Sequence, residues 1–185
     1  MVNDDGLVRL VVPVGPDDHV RGPAAAPVTL VEYGDFECPY CGVAYPIVRA
    51  LEAAYPTQLR VVFRSFPLAQ HPHAEAAAEA AEFAAEFSKF WEMHDLLFTH
   101  ADALDQRHLL AYAAEIGLDP NELSAALHDQ RYRAVIEEVK EGAEESGIPG
   151  TPAFYLNDVL FEDEATLENF SHAVDWLLEH GTVSR

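Results

Sequence analysis

Two short runs of β-branched and apolar residues, Val28–Tyr33 and Leu59–Phe63, bracket a helix-patterned segment, and this arrangement narrows the available folds more than any other feature of the chain. Runs that are apolar on both alternating faces belong to strands covered on both sides. Between them Val43, Ala44, Ile47, Val48 and Leu51 recur at helical spacing up to Tyr55-Pro56. Pro39 suits a first helical turn, where its missing N–H costs nothing, while Pro46 predicts a kink inside the helix. Strand, helix and strand in this order predict a βαβ unit with a right-handed crossover, hence an α/β fold. Glu32 is the one charged residue inside the first run.

Ahead of this unit, the run Leu7, Val8, Leu10, Val11, Val12 reads as a strand ended by Pro13 and the turn chemistry of Gly15-Pro16-Asp17-Asp18. From His71 to about Ser146 the pattern is helical throughout. Glu75, Glu79, Glu82 and Glu86 predict a solvated acidic face, and Phe83, Phe87, Phe90 and Trp91 an apolar stripe turned to the core. A helix from Asp105 to Ile116 stops at Gly117. Asp119, Pro120 and Glu122 supply an N-cap, a first-turn proline and a capping-box glutamate for the next one. A longer helix runs from Tyr132 to Glu145 and is broken by the Gly147-to-Pro152 loop. Two short strands follow, Ala153–Leu156 and Val159–Phe161, joined by an Asn157-Asp158 turn. A last helix carries Leu167, Phe170, Val174, Leu177 and Leu178 and stops at Gly181.

The 185 residues carry 32 acidic against 11 basic side chains, a formal charge of −21. Such a balance argues against binding a nucleic-acid backbone or an anionic membrane face. No apolar stretch approaches the roughly 20 residues of a membrane span, so no membrane insertion is expected. The N-terminal residues, with Asp4 and Asp5, do not have the basic start of a secretory signal. A cytoplasmic location is expected, with a trimmed form of an exported protein as the alternative.

Only two cysteines are present, Cys38 and Cys41. A disulfide between them closes so small a loop that it removes little unfolded-state entropy and cannot serve as a structural staple. The pair is a redox-active dithiol, half of a metal site, or incidental. At a strand-to-helix junction Cys38 falls at the helix N-terminus, where free N–H groups and the positive end of the dipole favour a thiolate. Cys41 lies one turn inside, as a shielded second thiol. Asp35 and Glu37 act in the opposite sense, since nearby negative charge raises a thiol pKa. The net expectation is a lowered Cys38 pKa.

The segment Pro27-Val28-Thr29-Leu30-Val31-Glu32-Tyr33-Gly34-Asp35-Phe36-Glu37-Cys38-Pro39-Tyr40-Cys41 resembles the active-site region of DsbA-family thiol–disulfide oxidoreductases. Phe66-to-His73 with Lys89-to-His94, and Gly147-to-Phe154, are similar to two further stretches of that family. The resemblance implies a thioredoxin-like fold with an inserted all-helical domain, residues 1–67 and 147–185 forming the former and 68–146 the latter. It implies Cys38 as the nucleophile, Cys41 as the resolving cysteine, Pro152 as a cis-proline facing them and Thr151 as a backbone partner of an extended substrate. Glu32 matches the family's acidic residue beneath the site, where a carboxyl serves as proton acceptor for Cys41. The Pro-Tyr dipeptide is similar to that of glutaredoxins, so the direction of electron flow is not carried over.

The expected activity is dithiol–disulfide exchange with protein substrates, by a monomer. It would be re-equilibrated by a redox partner such as glutathione or a thioredoxin system, and would need no metal or organic cofactor. Three other readings stay open: a glutathione-dependent isomerase or transferase of the same fold, a module binding metal through Cys38, Cys41, His71 and His73, and a binding module whose acidic surface holds a basic partner.

Overall fold

A computed structural model describes residues 6–181; Asp4 and Asp5 of the N-terminal reading lie outside them. The strands are β1 (His19–Arg21), β2 (Val28–Gly34), β3 (Leu59–Ser65), β4 (Ala153–Leu156) and β5 (Val159–Leu160). The helices are α1 (Pro39–Ala54), α2 (Ala74–Ala85), α3 (Phe90–Thr99), α4 (Gln106–Glu115), α5 (Pro120–His128), α6 (Arg133–Glu145) and α7 (Leu167–His180). They form one mixed sheet in the order β1-β3-β2-β4-β5. β2 and β3 run parallel, Val28 beside Leu59 and Gly34 beside Ser65, and every other pair is antiparallel. The βαβ unit and the α/β class are as the sequence predicts.

Strand periodicity decides what lies beneath the cysteines. Val28 and Leu30 of β2 pack with Ala44, Val48 and Leu51 of α1 and with Phe170, Val174 and Leu177 of α7. Val31 and Tyr33 face the other side, toward Val62, Phe66, Ala143, Ile148 and Tyr155. Glu32 has the parity of Leu30, so its carboxyl is directed to the face that α1 covers. Full burial of side chains such as Leu30, Leu51 and Phe170 stabilises by roughly 1.5–3 kcal/mol each, which fixes α1 on this face.

Between β3 and β4 the chain is helical, and most of its buried apolar residues share one cluster with Phe36, Cys38, Cys41 and Phe63, while Ala143 and Ile148 belong to the cluster of Val31 and Tyr33. Asp105 and Asp119 cap α4 and α5 by accepting from the His108 and Asn121 N–H groups. Gly117 has φ +76°, the left-handed conformation that ends a helix without steric cost. Pro46 is accommodated inside a continuous α1.

Several expectations are corrected. Leu7–Val12 does not form a strand: it is bridged from Arg9 to Val159, with flanking bonds from Leu10 N to the Asp158 carbonyl and from Leu160 N to the Val8 carbonyl. Its neighbour β5 is two residues long, so no ladder can extend, and the Val12 and Pro13 carbonyls instead accept from the Arg64 guanidinium. The first strand is His19–Arg21, which carries no apolar run. The acidic face of α2 is not wholly solvated, because Glu79 is buried and Glu82 pairs with His19 at 3.0 Å. Phe87 is exposed rather than in the core. The second strand of the final hairpin ends at Leu160, one residue early, and the turn residues Asn157 and Asp158 both take positive φ.

Candidate active site

Cys38 is the N-cap of α1, with extended backbone, and Pro39 occupies the first turn. Its sulfur lies 3.4 Å from the Thr151 carbonyl, to which the thiol donates, and the Thr151–Pro152 peptide bond is cis. Cys41, one turn along, is fully buried, and the Asp35 N–H donates to its sulfur at 3.4 Å. Both cysteines are free thiols. The structure therefore brings Cys38, Cys41, Thr151 and Pro152 together from two segments more than a hundred residues apart in sequence.

The two sulfurs are unlike in acidity. Hydrogen bonding from the Cys41 thiol, helped by Thr151 and by the Cys41 and Tyr40 N–H groups at the start of α1, outweighs burial and lowers the Cys38 pKa to about 5. The reciprocal bond to Cys38, burial and the nearness of Glu32 all push the Cys41 pKa up. One thiol is thus poised as a thiolate near neutrality and the other is kept protonated, the division that an attacking and a resolving thiol require. Thiolate ultraviolet absorbance followed against pH should show a single low transition with a midpoint near pH 5. A lowest transition at the free-cysteine value of about 8.5 would refute this assignment.

Glu32 is 3% exposed, and its Oε1 has no hydrogen-bond partner among the described residues. Burial raises its pKa to about 8, with Glu52 reinforcing the shift and Arg21 opposing it. Arg21 donates through Nε and Nη2 to both Glu52 oxygens at 2.7 and 2.8 Å and through Nη1 to Asp95, and it stacks 4.3 Å above the Trp91 ring. His94, buried against Phe36, Phe63 and Phe98, has its pKa pushed down to about 4 by burial and contacts Asp95 at 2.9 Å. Sequence reading gave no role to Arg21, His94 or Asp95. The only sequence signal for this region is the Lys89-to-His94 stretch, through its family resemblance.

The expected antagonism of Asp35 and Glu37 is also changed. The buried Asp35 carboxylate accepts from the Glu37 and Leu68 N–H groups and contacts His71 Nδ1 at 2.7 Å. Glu37 accepts from the His73 N–H. His71 is thus committed to Asp35. Among the described residues no three His, Cys, Asp or Glu side chains are arranged to hold a metal ion.

With this geometry in view, the sequence pattern described as Thioredoxin matches residues 15–176. The chain belongs to the thioredoxin family. A crystal structure of a thioredoxin-like oxidoreductase from Silicibacter pomeroyi is 30% identical, with a TM-score of 0.79 over 89% of this chain and 94% of that one. The crystal structure of Wolbachia pipientis alpha-DsbA1 has a TM-score of 0.81 at 22% identity, covering 93% of this chain and 96% of the other. The DsbA-like fold implied by the sequence resemblance is therefore the fold of this thioredoxin-family chain. Among curated relatives, a protein named Na(+)/H(+) antiporter NhaA 1 from Salinispora arenicola is 48% identical over 172 residues. Those residues are 92% of this chain and 26% of that protein, so the chain spans about a quarter of the relative's length. No helix among the described residues is long and apolar enough to cross a membrane.

Proposed function

We propose that this thioredoxin-family chain is a thiol–disulfide oxidoreductase that exchanges disulfides with protein substrates through Cys38 and Cys41. The observation that carries the reading is the opposed acidity of the pair: Cys38 lowered to about 5 at the N-terminus of α1, Cys41 buried and raised one turn further on. The fold shared with DsbA proteins and the 30% identity to a thioredoxin-like oxidoreductase support it.

In the reducing direction the Cys38 thiolate attacks one sulfur of a substrate disulfide. A bond forms between that sulfur and Cys38, the substrate S–S bond breaks, and the other substrate sulfur leaves as a thiolate. Cys41 then loses its proton, with Glu32 as acceptor, and attacks the Cys38 sulfur. The second substrate sulfur departs, the protein holds the Cys38–Cys41 disulfide, and the substrate has gained two electrons. Oxidation of a substrate dithiol is the same sequence reversed. In this reading the Thr151 carbonyl, 3.4 Å from Cys38, receives an N–H of an extended substrate segment.

A cytoplasmic setting, action as a monomer and re-equilibration by glutathione or a thioredoxin system belong to the same proposal. So does the division into a thioredoxin-like domain of residues 1–67 and 147–185 and a helical insertion of 68–146. Sodium–proton antiport is a property named for the relatives and forms no part of it.

The test is turnover of a disulfide-bonded peptide, using reduced glutathione as the source of electrons. Wild type is expected to accelerate reduction well above the glutathione background and to be recovered as a mixture of dithiol and disulfide forms. A rate equal to background, with Cys38 and Cys41 unreactive, would overturn the reading.

A further inference from the structure

Asp35 occupies a junction that the exchange steps above leave unused. Its backbone contacts both cysteines: the carbonyl accepts from the Cys38 N–H at 3.1 Å, and the N–H donates to Cys41 Sγ at 3.4 Å. Its side chain, wholly excluded from solvent, joins the loop before α1 to the turn between β3 and α2. There Oδ2 accepts from the Leu68 N–H at 2.9 Å and contacts His71 Nδ1 at 2.7 Å, while Oδ1 accepts from the Glu37 N–H at 2.8 Å. The turn is closed by a bond from the His71 N–H to the Leu68 carbonyl. A buried carboxylate needs compensation to be tolerated, and an imidazolium in direct contact supplies a full opposite charge.

Resting on the exchange reading, we propose that His71 is a positioning residue for the Cys38–Cys41 pair: clamped on Asp35, its imidazolium masks the buried carboxylate whose backbone contacts both cysteines and holds the Leu68–His71 turn against the start of α1. The charged groups facing His71 are Asp35 and Glu37 from the loop before α1 and Cys38 at its N-cap. The hydrogen bond to Asp35 holds the His71 pKa above its ordinary value, and the charges of Cys38 and Glu37 act in the same direction. His71 is therefore still protonated over the pH range in which Cys38 ionises. Removing the imidazole does two things together: it takes a positive charge from the neighbourhood of the Cys38 thiolate, and it unmasks Asp35. Both disfavour the thiolate. Because that thiolate exists only in the reduced protein, its loss also makes the dithiol easier to oxidise.

The experiment compares wild type, His71→Asn, His71→Lys and the double variant Asp35→Asn/His71→Asn. Two quantities are read: the midpoint of Cys38 thiolate absorbance against pH, and the equilibrium of the pair with glutathione buffers. His71→Asn should raise the midpoint by about one unit and move the glutathione equilibrium about tenfold toward the protein disulfide. His71→Lys, which keeps the positive charge, should return both toward wild type. The double variant, which loses both charges, should lie close to wild type. A folded His71→Asn protein with unchanged midpoint and unchanged equilibrium overturns the proposal. If that variant does not fold, the double variant decides: a midpoint near wild type supports masking, and one raised by a full unit overturns it. Failure of the exchange reading is a separate result, in which wild type itself does not equilibrate with glutathione while the thiolate titrations still shift.

Discussion

Replacing Cys41 with serine is expected to turn the protein into a trap. Cys38 remains at the N-cap of α1 and can still attack a substrate disulfide, but nothing is left to displace the substrate from it. A covalent complex, stable to gel electrophoresis without reductant and released by dithiothreitol, should accumulate to the level of the available substrate. Cys38→Ser should form no such complex, because the buried Cys41, with its pKa pushed up, is neither accessible nor ionised. Turnover should fall by at least about 10³-fold in both single variants, and the Cys38→Ser, Cys41→Ser protein should be no worse than either, as expected for groups that act as one unit. Equal trapping by the two single variants would break the assignment of attacker and resolver.

Glu32→Gln is expected to stabilise the protein while slowing it. The Glu32 pKa is raised to about 8 in the folded chain, against about 4.3 for an exposed glutamate. Below the lower value both states are protonated and burial of the neutral acid is tolerated. As pH rises from there toward 8 the unfolded chain releases its proton and the folded one does not, so stability falls by about 1.4 kcal/mol per unit. At pH 7, nearly three units above the unfolded value, the deficit is roughly 3–4 kcal/mol. Glutamine keeps the shape of the neutral acid without the titration. Urea unfolding should therefore show Glu32→Gln more stable at pH 7 by up to that amount, with the difference vanishing near pH 4. The same substitution removes the carboxyl proposed as proton acceptor for Cys41. Resolution of a preformed mixed disulfide should slow by about 10²-fold, and the rise of that step with pH through about 8 should disappear. An unchanged resolving rate together with the gain in stability would leave Glu32 as an unpaired buried acid and nothing more.

The two-run pattern at Val28 and Leu59 made the central parallel pair legible, because buried strands and a helical crossover leave compositional traces that need no knowledge of distant contacts. The cysteine pair was legible for a similar reason: helix start, proline and spacing are all local. Thr151 and Pro152 were read only through a resemblance, since nothing in their own neighbourhood says that they will lie against residues so far back in the chain. Leu7–Val12 misled because an apolar run announces a strand but not a partner, and its neighbour β5 has two residues to offer. Glu79 and Glu82 misled because helical spacing gives the face of a helix and not what covers it; Tyr132 and His19 do, from remote segments. Arg21 and Asp95 left no trace at all. Salt bridges between a short edge strand and two helices depend on tertiary placement that periodicity does not encode. Asp35 is legible in the sequence as a negative charge beside Cys38, but the His71 that faces it comes from a turn more than thirty residues away.

Arg21 has a mechanical meaning beyond its influence on Glu32. A three-residue edge strand has too short a ladder to hold itself in place, yet the Arg21 guanidinium grips Glu52 of α1 and Asp95 of α3 at once and lies on the ring of Trp91. The edge strand β1, the helix that presents the cysteines and α3 are fastened at a single side chain. In amide exchange these three pieces should open as one cooperative unit rather than fray separately, so that the front edge of the sheet reports on the integrity of the helix that carries the chemistry.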